Sequence, residues 1–332
     1  MNVLVTGGAG YIGSVIVEAL LRRGHTVTVL DSLYKGHRAA VTAPAALVQI
    51  DLADREQVGQ TVAALAAGSE PAAVIHMAAD SLVGESMQRP TRYFRNNVIN
   101  SLNLAEAVVE AGVGLLVFSS TAAVYGEPET VPITEAFPTA PTNVYGETKL
   151  AFERVLRWLE RIHGLRWAAL RYFNAAGATE RLGEDHAPES HLIPNILQVP
   201  LGKRERVALF GTDYPTPDGT CIRDYVHVAD LADAHVLALE ALHRDAVPSG
   251  AFNLGSGTGY SNRQVIEAAR RVTGHAIPVV EEPRRAGDPA ALVASSERIR
   301  RDLGWAPRFP GIEEIVGSAW AWHRGHPNGY EA

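Results

Sequence analysis

The sequence contains one cysteine, Cys221, so no disulfide can form within the chain. It has no apolar run near the roughly 18 residues that a transmembrane helix needs, and no membrane partner is expected. The 30 Lys and Arg residues are outnumbered by 37 Asp and Glu, and the net charge of −7 disfavours a nucleic-acid partner. The histidines are scattered, and no pair stands in a zinc-type spacing with Cys or Glu. We therefore predict no metal site.

The composition that remains is typical of a globular protein. Of its 332 residues, 46% are hydrophobic and 20% are charged. The chain begins directly with the first predicted strand, with no signal peptide before it. These features predict a cytoplasmic protein.

Strands and helices alternate through the first half of the chain. Candidate strands are 3–6, 26–30, 46–50, 73–77, 114–119 and 167–172, and long helical patterns lie near 91–111 and 143–163. This alternation predicts an α/β fold with a Rossmann-type doubly wound parallel sheet. Residues 1–174 are predicted to form the dinucleotide-binding domain. Residues 175–332 are predicted to form a smaller α/β substrate-binding lobe, some segments of which return to the first domain.

A glycine motif follows the first strand. Gly7, Gly10 and Gly13 stand between the apolar run 3–5 and a helical pattern over 11–23. Such glycines permit a tight turn and bring a pyrophosphate close to backbone N–H groups at a helix N-terminus. Asp31 ends the second strand, where a carboxylate binds an adenosine ribose and repels a 2′-phosphate. The motif therefore favours NAD, although a glycine-rich turn in an ordinary α/β protein is the alternative.

A second group of polar residues follows the strand at 114–119. Thr121 lies at the carboxyl end of this strand, and Tyr145 and Lys149 are one helical turn apart further on. A nearby ammonium group lowers the pKa of a tyrosine, so Tyr145 is a candidate general base. Alone, this pair is more often an ordinary surface pair. The glycine motif and the hydroxyl-bearing strand end favour catalysis.

With these residues, the chain resembles the extended short-chain dehydrogenase/reductase superfamily and, within it, the UDP-glucose 4-epimerases. The resemblance extends over nearly the whole chain. Besides the glycine motif and Tyr145-x-x-x-Lys149, it rests on 75–79, 83–86, 96–98, 119–126, 170–174, 191–194, 210–214, 218–220, 223–228, 252–255 and 284–288.

The resemblance implies a catalytic trio of Thr121, Tyr145 and Lys149 acting with resident NAD. Tyr145 is expected to take the proton of the sugar 4-hydroxyl while hydride leaves C4, and to return it after the 4-keto sugar has turned over. Lys149 is also expected to hold the nicotinamide ribose. Related dehydratases carry an Asp-Glu pair where this chain has Ala122 and Ala123. The resemblance therefore favours epimerisation over elimination.

The resemblance also assigns binding residues. The expected NAD contacts are Gly7, Gly10, Tyr11, Ile12, Gly13, Asp31, Asp51, Leu52, Asn97, Tyr145, Lys149 and Phe173. The expected UDP-sugar contacts are Thr121, Tyr145, Asn174, His191, Leu192, Phe210, Arg223, Arg285, Asp288 and Leu292. Asp51 could instead cap the next helix, and Phe210 could be ordinary strand core. His76 and His227 are interpreted as structural.

Two departures from the family pattern bear on the ligands. Ser81 replaces a lysine that reaches toward the cofactor phosphates, so their charge must be neutralised otherwise or NAD is held less firmly. Leu292 is intermediate between the tyrosine that restricts relatives to unacetylated sugars and the small residue that admits N-acetyl sugars. We expect UDP-glucose and UDP-galactose first, with N-acetyl sugars left open.

The family also pairs the helices near 91–111 and 143–163 in a four-helix bundle, which predicts a homodimer. Two alternatives to an epimerase stay open at this point. One is another nucleotide-sugar oxidoreductase or epimerase, and the other is a dinucleotide sensor without catalysis.

Overall fold

The computed structural model describes residues 1–285 and 288–330. Ala286 and Gly287, which belong to the motif at 284–288, lie outside the described residues. The strands of the first part of the chain are β1 (Asn2–Thr6), β2 (Thr26–Asp31), β3 (Ala46–Gln49), β4 (Ala72–His76), β5 (Leu115–Thr121) and β6 (Arg166–Tyr172). The helices between them are α1 (Tyr11–Arg22), α2 (Arg55–Ala66), α3 (Val83–Gln88), α4 (Pro90–Phe94), α5 (Asn100–Glu110) and α6 (Val144–His163).

The later elements begin with a short strand that follows β6 directly. The strands are β7 (Asn174–Ala176), β8 (Val207–Phe210), β9 (Ile222–His227), β10 (Gly250–Leu254), β11 (Gly259–Ser261), β12 (Val279–Glu282) and β13 (Ala291–Leu292). The helices are α7 (Leu192–Leu197), α8 (Val228–His243), α9 (Asn262–Thr273), α10 (Glu297–Leu303) and α11 (Ile312–Gly325).

A seven-stranded parallel sheet forms the centre of the fold, in the order β10-β6-β5-β4-β1-β2-β3. Apart from the edge strand β3, its strands are mostly buried and largely apolar, as expected when helices cover both faces. One apolar cluster joins the sheet to α1 and α8, and a second joins it to α2, α5 and α6. The predicted doubly wound α/β fold is therefore confirmed.

The order in which strands are added to the sheet reverses between β1 and β4. This position determines where a ligand can bind. From β1 the chain runs outward through β2 and β3, then crosses back to β4 on the other side of β1. The loops after β1 and β4 touch: a Cβ atom added at Gly7 would lie 2.7 Å from the Ala78 backbone nitrogen. Open parallel sheets bind ligands at such a switch point, beyond the carboxyl ends of the strands.

Most of the later elements pack around a separate core. A small sheet has the order β11-β9-β13, with β7 also paired to β9, and β8 pairs with β12. An apolar cluster joins these strands to α7, α9 and α11. By contrast, β10 pairs with β6 in the large sheet, and α8 packs against α1. We propose that these two elements belong to the dinucleotide-binding domain and the small sheets to the substrate lobe.

One predicted helix differs from the prediction. The pattern near 91–111 forms α4 and α5, with a π-helical turn over Arg95–Ile99 between them. Asn97 lies in this turn, and its amide nitrogen donates to the backbone oxygen of Asp80 at 2.9 Å. Over residues 1–285 and 288–330, none of the helices combines the length and hydrophobicity of a membrane span.

Candidate active site

A cavity of 2010 Å³ extends along the carboxyl ends of the central strands and into the small lobe. Drug-sized ligands occupy pockets of about 300–1000 Å³, so this cavity has room for two of them. Every residue predicted to contact cofactor or substrate lines it, with the exception of Asn97 among the described residues. Residues far apart in the sequence are thus brought to one site.

The glycine turn occupies one end of this cavity. Gly7 has a φ of +70°, and a Cβ atom at Gly13 would lie 2.1 Å from the Gly7 carbonyl oxygen, so both positions require glycine. Helix α1 begins after Gly10 with no acidic residue in its first turn, and no side chain of the described residues caps it. Its first N–H groups and its dipole therefore suit an anionic group.

Asp31 lies beside this turn at the end of β2. Its two carboxylate oxygens accept hydrogen bonds from the Leu33 nitrogen at 2.8 Å and the Ala9 nitrogen at 3.0 Å. Burial raises the pKa of this carboxyl, although both backbone hydrogen bonds lower it. Because each oxygen keeps further acceptor capacity, the residue can also bind sugar hydroxyls.

Two more predicted cofactor contacts, Asp51 and Asn97, differ in their position relative to the cavity. Asp51 lines the cavity and accepts from the Ala53 nitrogen at 2.8 Å, whereas α2 is capped by Asp54. The alternative in which Asp51 caps that helix is therefore wrong. Asn97 is buried, with its side chain bound to the Asp80 backbone and, at 3.1 Å, to the Thr148 hydroxyl. This arrangement holds the loop after β4 in place.

Thr121, Tyr145 and Lys149 meet where β5 ends and α6 begins. All three are buried and line the cavity. Asn143 caps the start of α6: its side chain accepts from the Gly146 nitrogen at 2.8 Å, and this cap orients the turn that carries Tyr145.

The expected electrostatic effect of Lys149 on Tyr145 is wrong for this structure. Burial raises the pKa of Tyr145 to about 12, and only a hydrogen bond with Thr121 lowers it. Burial also lowers the pKa of Lys149 to about 7. The Lys149 ammonium donates to the Ser119 carbonyl oxygen at 2.8 Å and lies 4.9 Å from the centre of the Phe118 ring. Desolvation penalises both charged forms, an effect that the spacing of the two residues could not reveal.

A buried ion pair supports the strand end that carries these residues. The Arg171 guanidinium, on β6, donates through Nε to Glu153 Oε1 at 2.9 Å, and both side chains are buried. The same carboxylate accepts from the Ser120 hydroxyl at 2.6 Å, and Arg171 also donates to the Tyr125 hydroxyl at 2.9 Å. The network therefore ties α6 and β6 to the residues flanking Thr121.

The far end of the cavity carries the predicted phosphate-binding arginines. Arg223 donates to the Pro289 backbone oxygen at 2.8 Å and lies 3.4 Å from an Asp288 carboxylate oxygen. The Arg285 guanidinium lies over the Phe210 ring, 4.0 Å from its centre. Phe210 therefore faces the cavity rather than only the strand core.

The remaining predicted substrate contacts surround these arginines. Leu292 on β13 pairs with Arg223 on β9, and it packs against the same small apolar cluster as Phe173. Asn174 donates to the Asp224 backbone oxygen at 2.9 Å. Leu192 begins α7, directly after His191. These contacts fix backbone and side chains around the space at the end of β5.

Cationic side chains also lie beside Ser81. Lys35 and Arg92 line the cavity there, and both form ion pairs with Asp80, at 3.3 and 3.1 Å. The sequence analysis assigned neither residue to the site. Their placement depends on the loops after β2 and β4 lying together, which the topology brings about.

The two histidines interpreted as structural are confirmed as such. His76 contacts the Thr6 hydroxyl at 2.7 Å and the Ser101 hydroxyl at 2.8 Å. The His227 Nε2 atom lies 3.0 Å from the Ser318 hydroxyl. Burial lowers the pKa of His76 to about 3 and that of His227 to about 4, so both are neutral near pH 7.

The sequence analysis found no histidine pair in a zinc-type spacing with Glu, but the structure brings two histidines and two glutamates together. Glu184, His186, Glu189 and His191 each place a potential ligand atom within 4.8 Å of the others. Burial lowers the pKa of His191, but Glu184 and Glu189 outweigh this effect and raise it to about 10. The spacing Glu-x-His-x-x-Glu-x-His was present in the sequence as a signal.

Comparison with known proteins places this geometry in a family. The model of the NAD dependent epimerase/dehydratase family matches residues 3–255. The UDP-glucose 4-epimerase of Halalkalibacterium halodurans is 54% identical over 332 residues, 99% of this chain and 98% of that protein. A solved UDP-glucose 4-epimerase structure is 49% identical, with a TM-score of 0.95 and full coverage of both chains. The Bifidobacterium longum UDP-glucose 4-epimerase, in complex with NAD+ and UDP, is 36% identical with a TM-score of 0.91 over 99% of this chain and 100% of that one.

Proposed function

The chain belongs to the NAD-dependent epimerase/dehydratase family, and from this premise we propose that it interconverts UDP-galactose and UDP-glucose as an NAD-dependent UDP-glucose 4-epimerase. The reaction passes through a transient 4-keto sugar, and NAD is regenerated in each turnover. One observation carries the assignment. Thr121, Tyr145 and Lys149 line the same cavity as the uncapped N-terminus of α1, within a chain similar to UDP-glucose 4-epimerases over its full length.

The residues at the glycine turn fit NAD. The first turn of α1 suits a pyrophosphate because its N–H groups have no intrahelical acceptors. The Asp31 carboxylate is placed to accept hydrogen bonds from adenosine ribose hydroxyls, and Asp51 and Leu52 line the neighbouring part of the cavity. The chemistry that NAD supplies when bound is reversible acceptance of hydride from C4 of the sugar.

Tyr145 is the proposed proton acceptor and donor for the sugar 4-hydroxyl. Its phenol faces the cavity, and the hydroxyl of Thr121 hydrogen-bonds to it. Thr121 can also bind the oxygen at C4, which keeps that oxygen beside the phenol. Lys149 is proposed to hold ribose hydroxyls and to orient the site through its bond to Ser119.

Arg223 and Arg285 are the proposed partners of the UDP pyrophosphate. A guanidinium can make paired hydrogen bonds to phosphate oxygens, and both side chains line the cavity at the lobe end. The stacking of Arg285 on Phe210 also provides a planar surface beside the space proposed for uracil. Asn174, His191, Leu192, Asp288 and Leu292 complete the proposed UDP-sugar site.

Ala122 and Ala123 favour epimerisation over dehydration. They form the turn directly after Thr121, over Ala122–Tyr125, and Ala122 is buried. A dehydratase must protonate a leaving hydroxyl, and two methyl groups cannot transfer that proton. The site can therefore move a proton at C4 but offers no acid at these two positions.

Incubation of the purified protein with UDP-galactose, without added cofactor, tests the proposal. UDP-glucose should appear, and NAD should be released when the protein is denatured. Tyr145→Phe should lose most of the activity and keep its bound NAD, whereas exchange of the exposed Tyr34 to Phe should change little. Accumulation of NADH with a keto or deoxy product would indicate an oxidoreductase or a dehydratase, and bound NAD without turnover would indicate a sensor.

We also propose a homodimer through α4, α5 and α6. Large apolar side chains on these helices and on the π-helical turn are exposed: Phe94 on α4 at 40%, Ile99 in the turn at 53%, and Trp158 and Ile162 on α6 at 59% and 67%. Pairing across a twofold axis would cover this surface in a four-helix bundle. Light scattering should give twice the chain mass at micromolar concentration, and Trp158→Glu should shift it toward the monomer. A monomeric wild type would contradict the proposed dimer. The cytoplasmic location stays a separate prediction.

A further inference from the structure

Four side chains that proton transfer at C4 does not require converge in the segment between β7 and α7. His191 Nδ1 lies 2.7 Å from Glu184 Oε1 and 3.0 Å from Glu189 Oε1. His186 Nδ1 lies 3.1 Å from the same Glu184 oxygen and 3.9 Å from Glu189 Oε2. Two imidazole nitrogens and two carboxylates therefore surround one point.

The two carboxylates of this group are largely buried. The side chains of Glu184 and Glu189 are only 5% and 8% exposed. Their ion-pair partners within residues 1–285 and 288–330 are the two histidines, with no Lys or Arg among them. Buried carboxylates need a compensating charge, which a protonated histidine supplies through these ion pairs and which a divalent cation bound by two neutral imidazoles can supply instead.

The combination of imidazole and carboxylate ligands favours zinc. Zinc binds imidazole nitrogen at about 2.0–2.1 Å and carboxylate oxygen at about 2.0–2.2 Å, so tetrahedral ligands lie roughly 3.3–3.6 Å apart. The four potential ligand atoms lie within 4.8 Å of one another, so shifts of less than about 1 Å in the paired contacts of 2.7–3.9 Å would bring them to that spacing. Ca²⁺ and Mg²⁺ prefer oxygen ligands alone. We propose that Glu184, His186, Glu189 and His191 form a four-ligand structural site for a zinc ion.

The position of the site indicates what the ion would do. The ring of His186 packs edge-on against Tyr11 of α1, with centroids 6.2 Å apart. The backbone oxygen of Asp185 lies 3.1 Å from His37 Nε2. At the other end, His191 directly precedes α7. A zinc ion here would tie the cofactor end of the cavity to the lobe, and four protein ligands would leave it no open position for catalysis.

Metal analysis of the full-length protein tests the site independently of the epimerase activity. After purification without chelator or metal-affinity resin, the wild type should carry about one zinc ion per chain, as a closed structural site requires. His186→Ala and Glu189→Gln should lose most of it. His275→Ala, which changes an exposed histidine outside the cluster, should retain it.

A thermal-shift series then tests whether the ion is structural. Dialysis against a chelator should lower the Tm of the wild type and of His275→Ala by several degrees, and ZnCl₂ but not MgCl₂ should restore it. The two ligand variants should start at the lower Tm and not respond. Absence of zinc in the wild type, together with no binding of ZnCl₂ in calorimetry, would overturn the proposal and leave an ion-pair cluster. Equal zinc content in wild type and folded ligand variants would also overturn it.

Discussion

The ammonium nitrogen of Lys149 lies 5.9 Å from the centre of the Tyr145 ring and donates its hydrogen bond to Ser119, not to the phenol. Burial keeps the pKa of the lysine near 7 and that of the tyrosine near 12. Between about pH 7 and pH 12, the neutral form of each side chain therefore predominates in the protein alone. In the protein alone, Lys149 therefore has a positioning role, because its hydrogen bond to Ser119 connects α6 to the end of β5.

Replacement of Lys149 by Met tests this role. Loss of the Ser119 contact and of a potential cation beside Tyr145 should lower kcat by about 10²–10⁴, the range for loss of acid–base function. Turnover of UDP-galactose is the measurement, with circular dichroism to establish that the variant folds. Lys35→Met removes a cation that lines the cavity elsewhere and should keep kcat within about tenfold. A Lys149→Met enzyme with near-normal kcat would contradict the proposed role.

Six of the seven parallel strands were predictable because each is a short apolar run between turn residues, and burial on both faces requires that composition. The seventh, β10, was not among the predicted strands. The π-helical turn at 95–99 was not predictable, because it depends on Asn97 binding the Asp80 backbone across 17 residues. The π-turn occurs within a region whose periodicity is otherwise helical. The irregular turn therefore coincides with a long-range contact to the loop after β4.

The same distinction holds in the site. Tyr145 and Lys149 were identified by their spacing and context, but the direction of the Tyr145 pKa shift depends on burial, which spacing does not report. Lys35 and Arg92 were not predicted as site residues. Their side chains are held at the cavity by ion pairs with Asp80, which belongs neither to the glycine motif nor to the Tyr145–Lys149 motif. The Glu184–His191 cluster needed a loop conformation that brings four side chains to one point.

Leu292 provides a test of sugar specificity. It lines the cavity beside Phe173, near the end of β5. Leu292→Gly should raise kcat/KM for UDP-N-acetylglucosamine relative to UDP-glucose by about tenfold or more, because the removed side chain exceeds one methylene in size. Leu192 lies in the part of the site proposed for UDP, which both substrates share. Leu192→Ala should therefore leave the ratio of the two kcat/KM values unchanged. The ratio comes from parallel assays of both sugars, and an unchanged ratio in Leu292→Gly would contradict this placement.

The buried Glu153–Arg171 pair predicts a large loss of stability on removal of one charge. Glu153→Gln leaves the Arg171 guanidinium buried without its carboxylate, which should lower the free energy of unfolding by about 3–5 kcal/mol. Glu147→Gln, in an exposed pair with Arg154, should change it by only about 0–1 kcal/mol. Urea titration of both variants gives the comparison. Similar losses in the two variants would show that burial of the first pair carries little energetic weight.

His76 predicts part of the acid sensitivity of the fold. Burial lowers its pKa to about 3, with a smaller contribution from Lys149, whereas an unfolded chain has a histidine pKa of about 6.5. The unfolded state therefore binds the additional proton between these values. The contribution of His76 to stability is fully present above pH 6.5 and is lost as the pH falls toward 3.

At pH 5 this loss should reach about 2 kcal/mol, since one pKa unit corresponds to about 1.4 kcal/mol. His76→Gln should be less stable at pH 7.5, because it loses contacts with Thr6 and Ser101, but should lose less further stability at pH 5. Free energies of unfolding in urea at the two pH values measure this difference. His275→Gln, at an exposed histidine, should keep the wild-type difference in unfolding free energy between the two pH values. An equal difference in His76→Gln would show that titration of His76 plays no part. Because burial also lowers the pKa of His227 and His235 to about 4, His76→Gln should retain part of the pH dependence.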